Sequence, residues 1–323
     1  MSENFYQEHQ TNFFDNLVVD VPKLYEDFPV KKEENAKPNL VPFAQTPCHK
    51  IYQNRLVPLK YRRYTYHGLR RIGLDQSWFS EFKKYWSSVL QGRPFWGVQD
   101  LFFLKNLYRV KFQDNQVHDT NDPELHIQAW QRPELLYQLL HLVCRESISD
   151  QLQVLQQLNN LKSGITKLTF LEFGCATAPI TASLYEFWKP RPELKVYISD
   201  IQTLAFHYAA YRFRHCSNVT PLLLTPENDF LLQIDDTLDV VFCITVFEHL
   251  NKPIDMIKIF HDRLKPGGLL FFDYIKGDGQ GLDTKQAVLS RDNVIDFVLK
   301  NFELVYGEIT KDKSMGLTII RKK

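Results

Sequence analysis

The stretch Leu168-Thr-Phe-Leu-Glu-Phe-Gly-Cys-Ala-Thr-Ala-Pro-Ile180 constrains the fold of this chain more than any other. Its apolar run predicts a short strand buried on both faces, as in the centre of a parallel sheet. Gly174 then predicts a sharp turn at which a ligand can approach the backbone closely. A helix follows to about Trp188, and its N-terminus favours anionic groups. Glu172 is charged inside the strand, so its burial requires a cation or a set of N–H donors.

Strand and helix patterns alternate from this stretch onward. The alternation predicts an α/β fold, with a Rossmann-like, mostly parallel sheet that carries helices on both faces. The terminal segments Phe302–Tyr306 and Leu317–Arg321 predict a hairpin. The predicted strands are Leu168–Phe173, Lys195–Ser199, Val219–Leu224, Leu238–Thr245 and Leu269–Tyr274, and the predicted helices are Thr203–Phe213, Pro253–Leu264 and Arg291–Asn301.

The chain before this domain divides into two regions of different composition. Residues 1–50 are polar and proline-containing, which predicts a partly ordered arm. Residues 51–160 have helical apolar spacing at 78–90, 98–110 and 133–157, which predicts a helical cap or lid on a domain at 161–323. Basic and aromatic residues mix at 61–67 and 93–97, where they could bind RNA or pack into the core of the cap itself.

Charge and cysteine usage exclude several classes of protein. The net charge is +1, so the chain as a whole has no attraction for nucleic acid or an anionic membrane. Five cysteines are scattered without a CxxC pair, which predicts reduced thiols in a cytoplasmic protein. We expect neither a signal peptide nor a membrane span, which needs about 18 apolar residues. His118–His126 has acids and histidines without the spacing of a compact site, so no metal is predicted.

Polar residues that follow the predicted strands are the candidates for a binding site. In a parallel sheet of this kind, ligands bind beyond the carboxyl ends of the strands where the strand order reverses. Asp200 closes the second strand, where a carboxylate can accept two hydrogen bonds from a ribose diol or simply cap the next helix. The other candidates after strands are Asn228, Asp229, Phe230, Thr245, Val246, Glu248 and His249.

Four segments in this order resemble class I S-adenosylmethionine-dependent methyltransferases. They are Glu172-Phe-Gly-Cys-Ala-Thr-Ala178, Asp200, Leu238-Asp-Val-Val-Phe-Cys-Ile-Thr-Val-Phe-Glu-His-Leu250 and Arg263-Leu-Lys-Pro-Gly-Gly-Leu-Leu-Phe271. The resemblance covers 168–323 and implies a seven-stranded sheet with an antiparallel last strand. It also implies S-adenosyl-L-methionine as cofactor, with S-adenosyl-L-homocysteine as product.

The resemblance assigns roles to residues at the strand ends. Glu172 and Gly174 would line the methionine end of the cofactor, with Cys175, Ala176 and Ile201 beside it. Asp200 would hold the ribose, Asp229 or Phe230 the adenine, and Thr245 and Val246 a wall. The family often has glycine where this chain has Ala176 and Ala178, and a methyl group there is tolerable only at negative φ.

The acceptor side is the least specified by the sequence. His249 is the candidate base, because the reference pKa of histidine is near neutral, although it could also only pack at a helix start. Glu248 and Tyr274 are further catalytic candidates. Tyr64, Tyr66, Trp96 and Trp130 could roof the pocket and hold a cationic amine by cation–π attraction, or pack in a core.

Together these observations predict a cytoplasmic methyltransferase of small-molecule biosynthesis that methylates oxygen or nitrogen. The absence of Asn-Pro-Pro-Tyr after the fourth strand disfavours planar amide or exocyclic amino nitrogen as the acceptor. The alternatives are an RNA or protein methyltransferase and a cofactor-binding partner subunit without catalysis. The oligomeric state is left open.

Overall fold

The structure is a computed structural model that describes residues 81, 82, 84, 85, 88, 89, 130, 148–161, 165–187, 192–277 and 283–323. The chain divides into two compact units, of which the first includes Val154–Lys323 and Trp130. The described residues between 81 and 88, in the second unit, are helical as the spacing of 78–90 predicts, and Phe82 and Tyr85 are fully buried. The predicted arm at 1–50 and most of the predicted cap lie outside the described residues.

Helices and strands alternate through the first unit. Helix α1 begins before it and enters it at Val154. The helices are α1 (Ile148–Leu161), α2 (Pro179–Phe187), α3 (Leu204–Arg212), α4 (Pro253–Arg263) and α5 (Lys285–Asn301); the strands are β1 (Lys167–Phe173), β2 (Glu193–Ile201), β3 (Val219–Leu224), β4 (Leu238–Cys243), β5 (Leu264–Tyr274), β6 (Phe302–Tyr306) and β7 (Met315–Lys322); and short 3₁₀ turns lie at Pro226–Asn228 and Phe247–His249.

The seven strands form one sheet in the order β3-β2-β1-β4-β5-β7-β6. Strands β1 to β5 pair in parallel, and β7 runs antiparallel to both of its neighbours. The chain proceeds from β1 outward to β3 and then returns to β4 on the other side of β1. Because the strand order reverses between β1 and β4, the binding crevice of this topology lies above their carboxyl ends. The predicted fold class and the antiparallel last strand are confirmed.

Two predicted boundaries are wrong by five or six residues. Strand β5 begins at Leu264 rather than at residue 269, because Leu264 already pairs with Leu238 before a register shift. Helix α5 begins at Lys285 rather than at residue 291. Its start is fixed by Thr284, whose side chain accepts a hydrogen bond from the N–H of Ala287, an N-cap that satisfies a free donor of the first turn.

Two residues of the resembling segments lie at the amino edge of the sheet, away from the crevice. Asp239, near the start of β4, accepts a hydrogen bond from the N–H of Thr169 in β1 at 2.8 Å. Its other oxygen accepts one from Lys265 Nζ at 2.8 Å. These contacts tie β1, β4 and the start of β5 together, so both side chains support the sheet.

The core lies on both faces of the sheet, and β1 is buried along its length except at Lys167. A buried arginine connects α5 to the end of β5 and to the loop before β7. Arg291 of α5 is 3% exposed, and its guanidinium donates to the carbonyl oxygens of Tyr274, Thr310 and Lys313. Three carbonyl acceptors compensate part of the cost of burying this charge.

Within the part of the chain that the structure describes, no helix is long and apolar enough to cross a membrane. The same residues contain no group of three or more His, Cys, Asp or Glu side chains that could hold a metal ion. Cys175, Cys216 and Cys243 are free thiols. The segment His118–His126 lies outside the described residues.

Candidate functional site

The turn between β1 and α2 forms one wall of the crevice. Gly174 has a φ of +62°, and a Cβ on it would lie 2.4 Å from Cγ2 of Val246, the residue that packs against it. Both the left-handed backbone and this close approach require glycine. The N–H of Cys175 donates to the carbonyl of Ser199 at 3.0 Å, so the turn is bent over the end of β2.

Glu172 is 3% exposed and meets its N–H donors within the chain itself. One carboxylate oxygen accepts from the N–H of Ile180 at 3.0 Å, and the other accepts from the N–H and the hydroxyl of Thr181 at 2.7 and 2.6 Å. These N–H groups belong to the first turn of α2, where donors lack helical partners. Burial raises the pKa of Glu172 to about 7, although the donors from Thr181 and Ile180 oppose that shift. The side chain therefore fastens α2 to β1.

Asp200 reaches from the end of β2 to the same turn. One oxygen accepts from the N–H of Ala176 at 2.6 Å and the other from the N–H of Ile201 at 2.8 Å. Burial raises the pKa of Asp200 to about 6, and both donors oppose the rise. Asp200 does not cap α3, because the hydroxyl of Thr203 accepts from the N–H of Phe206 and fills that role. The carboxylate oxygens can each accept a further hydrogen bond.

The backbone beyond Gly174 departs from the sequence expectation. Ala176 and Ala178 have φ values of +47° and +52°, whereas we expected negative φ at these alanines. The hydrogen bonds of Cys175 to Ser199 and of Ala176 to Asp200 hold the turn in this conformation. A left-handed alanine costs about 1–2 kcal/mol. The turn is therefore strained and is kept in place by its contacts with β2.

The loop after β3 carries the same kind of strain. Asp229 and Phe230 have φ values of +54° and +56°. The carboxylate of Asp229 is exposed and lies 2.7 Å from Nζ of Lys252, while the Phe230 ring is half-buried against the core. Both residues follow a 3₁₀ turn that the N–H of Phe230 closes by donating to the carbonyl of Thr225 at 2.9 Å.

The loop after β4 is held by an aspartate that the sequence analysis did not single out. Thr245 has a φ of +59°, and its N–H donates to Oδ1 of Asp273 at 2.6 Å. Its hydroxyl lies 3.3 Å from the other oxygen of Asp273. Asp273 stands near the end of β5, so the rule that selected Asp200 at a strand end would have found it. Val246, which follows Thr245, is buried against Gly174.

Glu248 and His249 follow in a 3₁₀ turn, and their side chains are close together. Glu248 is 3% exposed, and among the described residues no neighbouring group forms a hydrogen bond with either carboxyl oxygen. Nε2 of His249 lies 3.8 Å from Oε1 of Glu248. Burial raises the pKa of Glu248 to about 8; its own N–H opposes the rise, and the charges of Asp273 and Asp283 add to it.

The imidazole of His249 is flanked by two further residues. Its Nδ1 lies 3.4 Å from Oδ1 of Asp283, and the ring of Trp130 meets it edge-on at 5.1 Å. Asp283 is placed by its neighbour Thr284, whose N–H donates to the carbonyl of Glu248 and whose hydroxyl donates to that of Leu250. Asp283 and Thr284 were missed because 34 residues separate Thr284 from Leu250, and no local pattern signals that contact.

Tyr274 points into the core. It is 1% exposed, and its hydroxyl donates to the carbonyl of Ala287 at 2.5 Å. Its ring packs near Phe247 and beside the guanidinium of Arg291. Burial raises the pKa of Tyr274 well above its ordinary value. This packing disfavours the catalytic role that the sequence suggested, because the hydroxyl is engaged within the fold.

The structure thus gathers most of the predicted site residues at one edge of the sheet. Among the described residues, the non-glycine residues with positive φ all follow the carboxyl ends of β1, β3 or β4. Trp130 and His249, predicted separately, are in contact. Ile201 lies at the end of β2, half-buried against the core. The remaining aromatic candidates, Tyr64, Tyr66 and Trp96, lie outside the described residues.

The comparisons with known proteins agree with this geometry. Residues 171–270 match the family model described as a methyltransferase domain. None of the curated proteins matches the chain. The matched segment begins in β1 and ends in β5, so it contains the strand ends after β1, β2, β3 and β4.

Many solved structures are similar to this chain at low sequence identity. One is the N-methyltransferase NodS from Bradyrhizobium japonicum WM9 in complex with S-adenosyl-L-homocysteine, at 19% identity over 54% of this chain and 86% of that one, with a TM-score of 0.39. A putative class I S-adenosylmethionine-dependent methyltransferase from Listeria monocytogenes is 16% identical over 76% of this chain and 86% of its own, with a TM-score of 0.43. A SAM-dependent methyltransferase from Aquifex aeolicus is 19% identical over 53% of this chain and 89% of its own, with a TM-score of 0.39.

Proposed function

We propose that this chain, whose residues 171–270 match the family model of a methyltransferase domain, is a class I S-adenosylmethionine-dependent methyltransferase that transfers a methyl group to an oxygen or nitrogen atom of a small-molecule acceptor. The observation that supports this site is the clustering of backbone strain around Asp200. Residues at positive φ persist where surrounding contacts hold them, and such residues concentrate at ligand sites. Here they surround the crevice at which this topology binds ligands.

The residues at the end of β2 fit the sugar of the cofactor. Each oxygen of Asp200 has one backbone donor and can accept a second hydrogen bond. The two hydroxyl groups of a ribose supply two donors, and the carboxylate form that prevails at pH 7 makes these bonds charge-assisted. In this proposal Cys175, Ala176 and Ile201 line the same part of the site through their backbone.

The remaining strand ends would hold the two ends of the cofactor. Phe230 offers an apolar face to an adenine ring, and Asp229 can accept a hydrogen bond from its amino group. Thr245 and Val246 form the wall opposite. Glu172 acts indirectly, because its carboxylate keeps α2 and the turn at Gly174 in position.

When bound, S-adenosylmethionine supplies a methyl group already activated on a sulfonium. The protein must then align the acceptor with that methyl and exclude water, and alignment accounts for much of the rate of such reactions. An acceptor that carries a proton also needs a base. His249 takes this role in the proposal, since its imidazole lies in the loop after β4 beside Asp283 and Trp130.

Replacement of Asp200 tests the donor site. In Asp200→Ala we expect the affinity for S-adenosyl-L-homocysteine, measured by calorimetry, to fall by about 30- to 100-fold, because two charge-assisted hydrogen bonds are lost. Asp262→Ala removes an exposed carboxylate on α4 and serves as the matched control. Melting curves report whether each variant stays folded.

Unchanged affinity in a folded Asp200→Ala variant would contradict the proposed donor site. Formation of S-adenosyl-L-homocysteine with candidate acceptors then tests turnover. Cofactor binding without turnover on any acceptor would favour the alternative of a non-catalytic partner subunit. A steep salt dependence of RNA binding would favour the alternative of an RNA methyltransferase.

A further inference from the structure

The buried carboxyl group of Glu248 has no role in the fold that the structure shows. It is 3% exposed, and no neighbouring group among the described residues forms a hydrogen bond with either oxygen. Buried polar groups in proteins nearly always have a partner, and an exception calls for a specific explanation. Glu172 is buried to the same extent and has three donors. Burial alone therefore does not explain the state of Glu248.

The groups around Glu248 are arranged to receive a nitrogen with more than one N–H. Oε1 of Glu248 and Nε2 of His249 are 3.8 Å apart, a separation that a single nitrogen can bridge with a hydrogen bond of ordinary length to each. Asp283 lies 3.4 Å from Nδ1 of His249, which favours the proton on Nδ1 and leaves a lone pair on Nε2. Once Glu248 is ionised, two acceptors thus lie within reach of one nitrogen.

The surroundings also favour a positive charge there. Glu248 feels the negative charges of Asp273 and Asp283, and the other titratable groups that interact with it among the described residues are His249, Tyr274 and Cys243. The ring of Trp130 lies beside His249 in a T-shaped arrangement with 5.1 Å between the ring centroids. Thr284 fixes the geometry by binding the carbonyls of Glu248 and Leu250.

We propose that the acceptor of this enzyme is a basic amine, which enters as an ammonium ion and donates hydrogen bonds to Glu248 and His249. This inference rests on the proposed methyltransferase function and narrows its acceptor from oxygen or nitrogen to an sp³ nitrogen. An alcohol carries no charge, so unlike an ammonium ion it cannot stabilise the ionised form of Glu248.

The proposed methyl transfer to the amine uses His249, Asp283 and Glu248 as the protein groups that accept and stabilise the proton. One N–H proton of the ammonium passes to Nε2 of His249, whose imidazolium is stabilised by Asp283 and Glu248. The nitrogen lone pair then forms a bond to the methyl carbon as the carbon–sulfur bond breaks, and that electron pair remains on the sulfur. The product is a methylated ammonium ion, a neutral thioether and a protonated His249, which returns its proton to solvent.

Protonation of Glu248 gives the proposal a signature other than activity. Its pKa of about 8 means that the carboxyl carries a proton at pH 7 in this structure. A cation beside the carboxyl stabilises its ionised form. Binding of an amine at pH 7 should therefore release up to about one proton from Glu248.

Calorimetry on the full chain saturated with S-adenosyl-L-homocysteine tests this with two probes of matched shape, benzylamine and benzyl alcohol. We expect benzylamine to bind at least about tenfold more tightly, which corresponds to about 1.4 kcal/mol. Titrations in two buffers of different ionisation enthalpy should show proton release for benzylamine only. In Glu248→Gln both the preference and the proton release should disappear, with the affinity for S-adenosyl-L-homocysteine unchanged.

Two further variants complete the test. Asp283→Asn, whose side chain is partly exposed, should lower the benzylamine affinity about threefold through loss of one neighbouring charge. Asp262→Asn should leave it unchanged. Equal binding of both probes, no binding of benzylamine, or an unaltered preference in Glu248→Gln would overturn the inference. Failure of S-adenosyl-L-homocysteine to bind the wild-type protein would instead overturn the proposed function.

Discussion

Two buried glutamates at the carboxyl edge of the sheet have opposite surroundings. Glu172, at the end of β1, and Glu248, after β4, are each 3% exposed. Three donors from α2 satisfy the carboxyl group of Glu172, whereas no neighbouring group among the described residues donates to the carboxyl group of Glu248. The same residue type at the same depth is thus part of the framework at one strand end and lacks a partner at the other.

This difference indicates that Glu172 positions the backbone, whereas the carboxyl group of Glu248 is available to a ligand. The β1 end is completed by the chain itself, because Glu172 and Asp200 hold the turn by its backbone N–H groups. The β4 end is left incomplete by the chain, because Glu248 has acceptor capacity that the fold does not use. We therefore expect changes at Glu172 to affect stability first and changes at Glu248 to affect ligands first.

The largest expected effect is on the pH dependence of stability that Glu248 contributes. The folded protein raises the pKa of Glu248 from 4.5 to about 8, so it binds this proton more tightly than the unfolded chain does. The resulting stability is complete below pH 4.5 and is lost as the pH rises toward 8. In Glu248→Gln this loss should shrink by on the order of 4 kcal/mol.

Urea denaturation between pH 4 and 8.5 measures this change. Glu172, with a pKa of about 7, and Asp200, with a pKa of about 6, are shifted in the same direction and remain in both proteins. The difference between wild type and Glu248→Gln therefore isolates Glu248. Parallel curves for the two proteins would show that Glu248 titrates at its ordinary pKa and would remove the contrast.

Gly174→Ala should disrupt the contact between the loop after β1 and the loop after β4. Its new Cβ would lie 2.4 Å from the side chain of Val246 and would sit on a backbone with a φ of +62°. The left-handed conformation and the overpacking together should lower the free energy of unfolding by about 3 kcal/mol. Chemical denaturation measures the change.

Gly267→Ala is the matched control for this variant. Gly267 has a φ of +74° with no atom within 4 Å of an added Cβ. It should lose only the conformational part, about 1 kcal/mol. Equal losses at Gly174 and Gly267 would mean that contact with Val246 adds nothing to the requirement for glycine.

Glu172→Gln should weaken the framework by about 2 kcal/mol at pH 7, since the amide NH₂ group cannot accept a hydrogen bond and leaves buried donors of α2 without a partner. Glu248→Gln changes the same atoms and should cause no loss at pH 7. The free energies of unfolding of the two variants provide the comparison. A loss of similar size in both would indicate that Glu248 has a structural partner after all.

The smallest effect concerns the strain in the turn. Ala176→Gly removes a Cβ from a residue with a φ of +47° and should raise the free energy of unfolding by at most about 1 kcal/mol. Ala182→Gly, within α2, should instead lower it by about 1 kcal/mol. Thermal melts of the two variants should therefore shift in opposite directions. A loss at Ala176 would show that the alanine is not strained.

Much of the fold could be predicted from the chain because its signals are local. The apolar run of β1 and Thr203 at the start of α3 act within a few residues of themselves, and their elements lie where the pattern indicates. The start of α5 at Lys285 was not predicted because its signal is a single capping residue, Thr284. The hydrogen bonds from Thr284 to the loop after β4 cross from one element to another and have no counterpart in periodicity.

The site was predictable at strand ends and not beyond them. Asp200 and Thr245 could be selected because a strand end in this topology faces the crevice. The positive φ of Ala176 could not, because it depends on a hydrogen bond to Asp200, 24 residues away. The engagement of Tyr274 with Ala287 is likewise a tertiary contact, so a residue suited to catalysis by type proved to be part of the core.

The contact of Gly174 with Val246 also bears on recombination between related enzymes. Strands β1 to β3 carry most of the proposed donor loops, and the segment from β4 onward carries the proposed acceptor residues together with the cofactor wall at Thr245 and Val246, so a chimera joined between β3 and β4 would exchange acceptor preference as a block. Such a crossover brings residue 174 and residue 246 from different parents. A parent with any residue other than glycine at position 174 would place a Cβ 2.4 Å from the side chain of a valine that the other parent contributes at position 246.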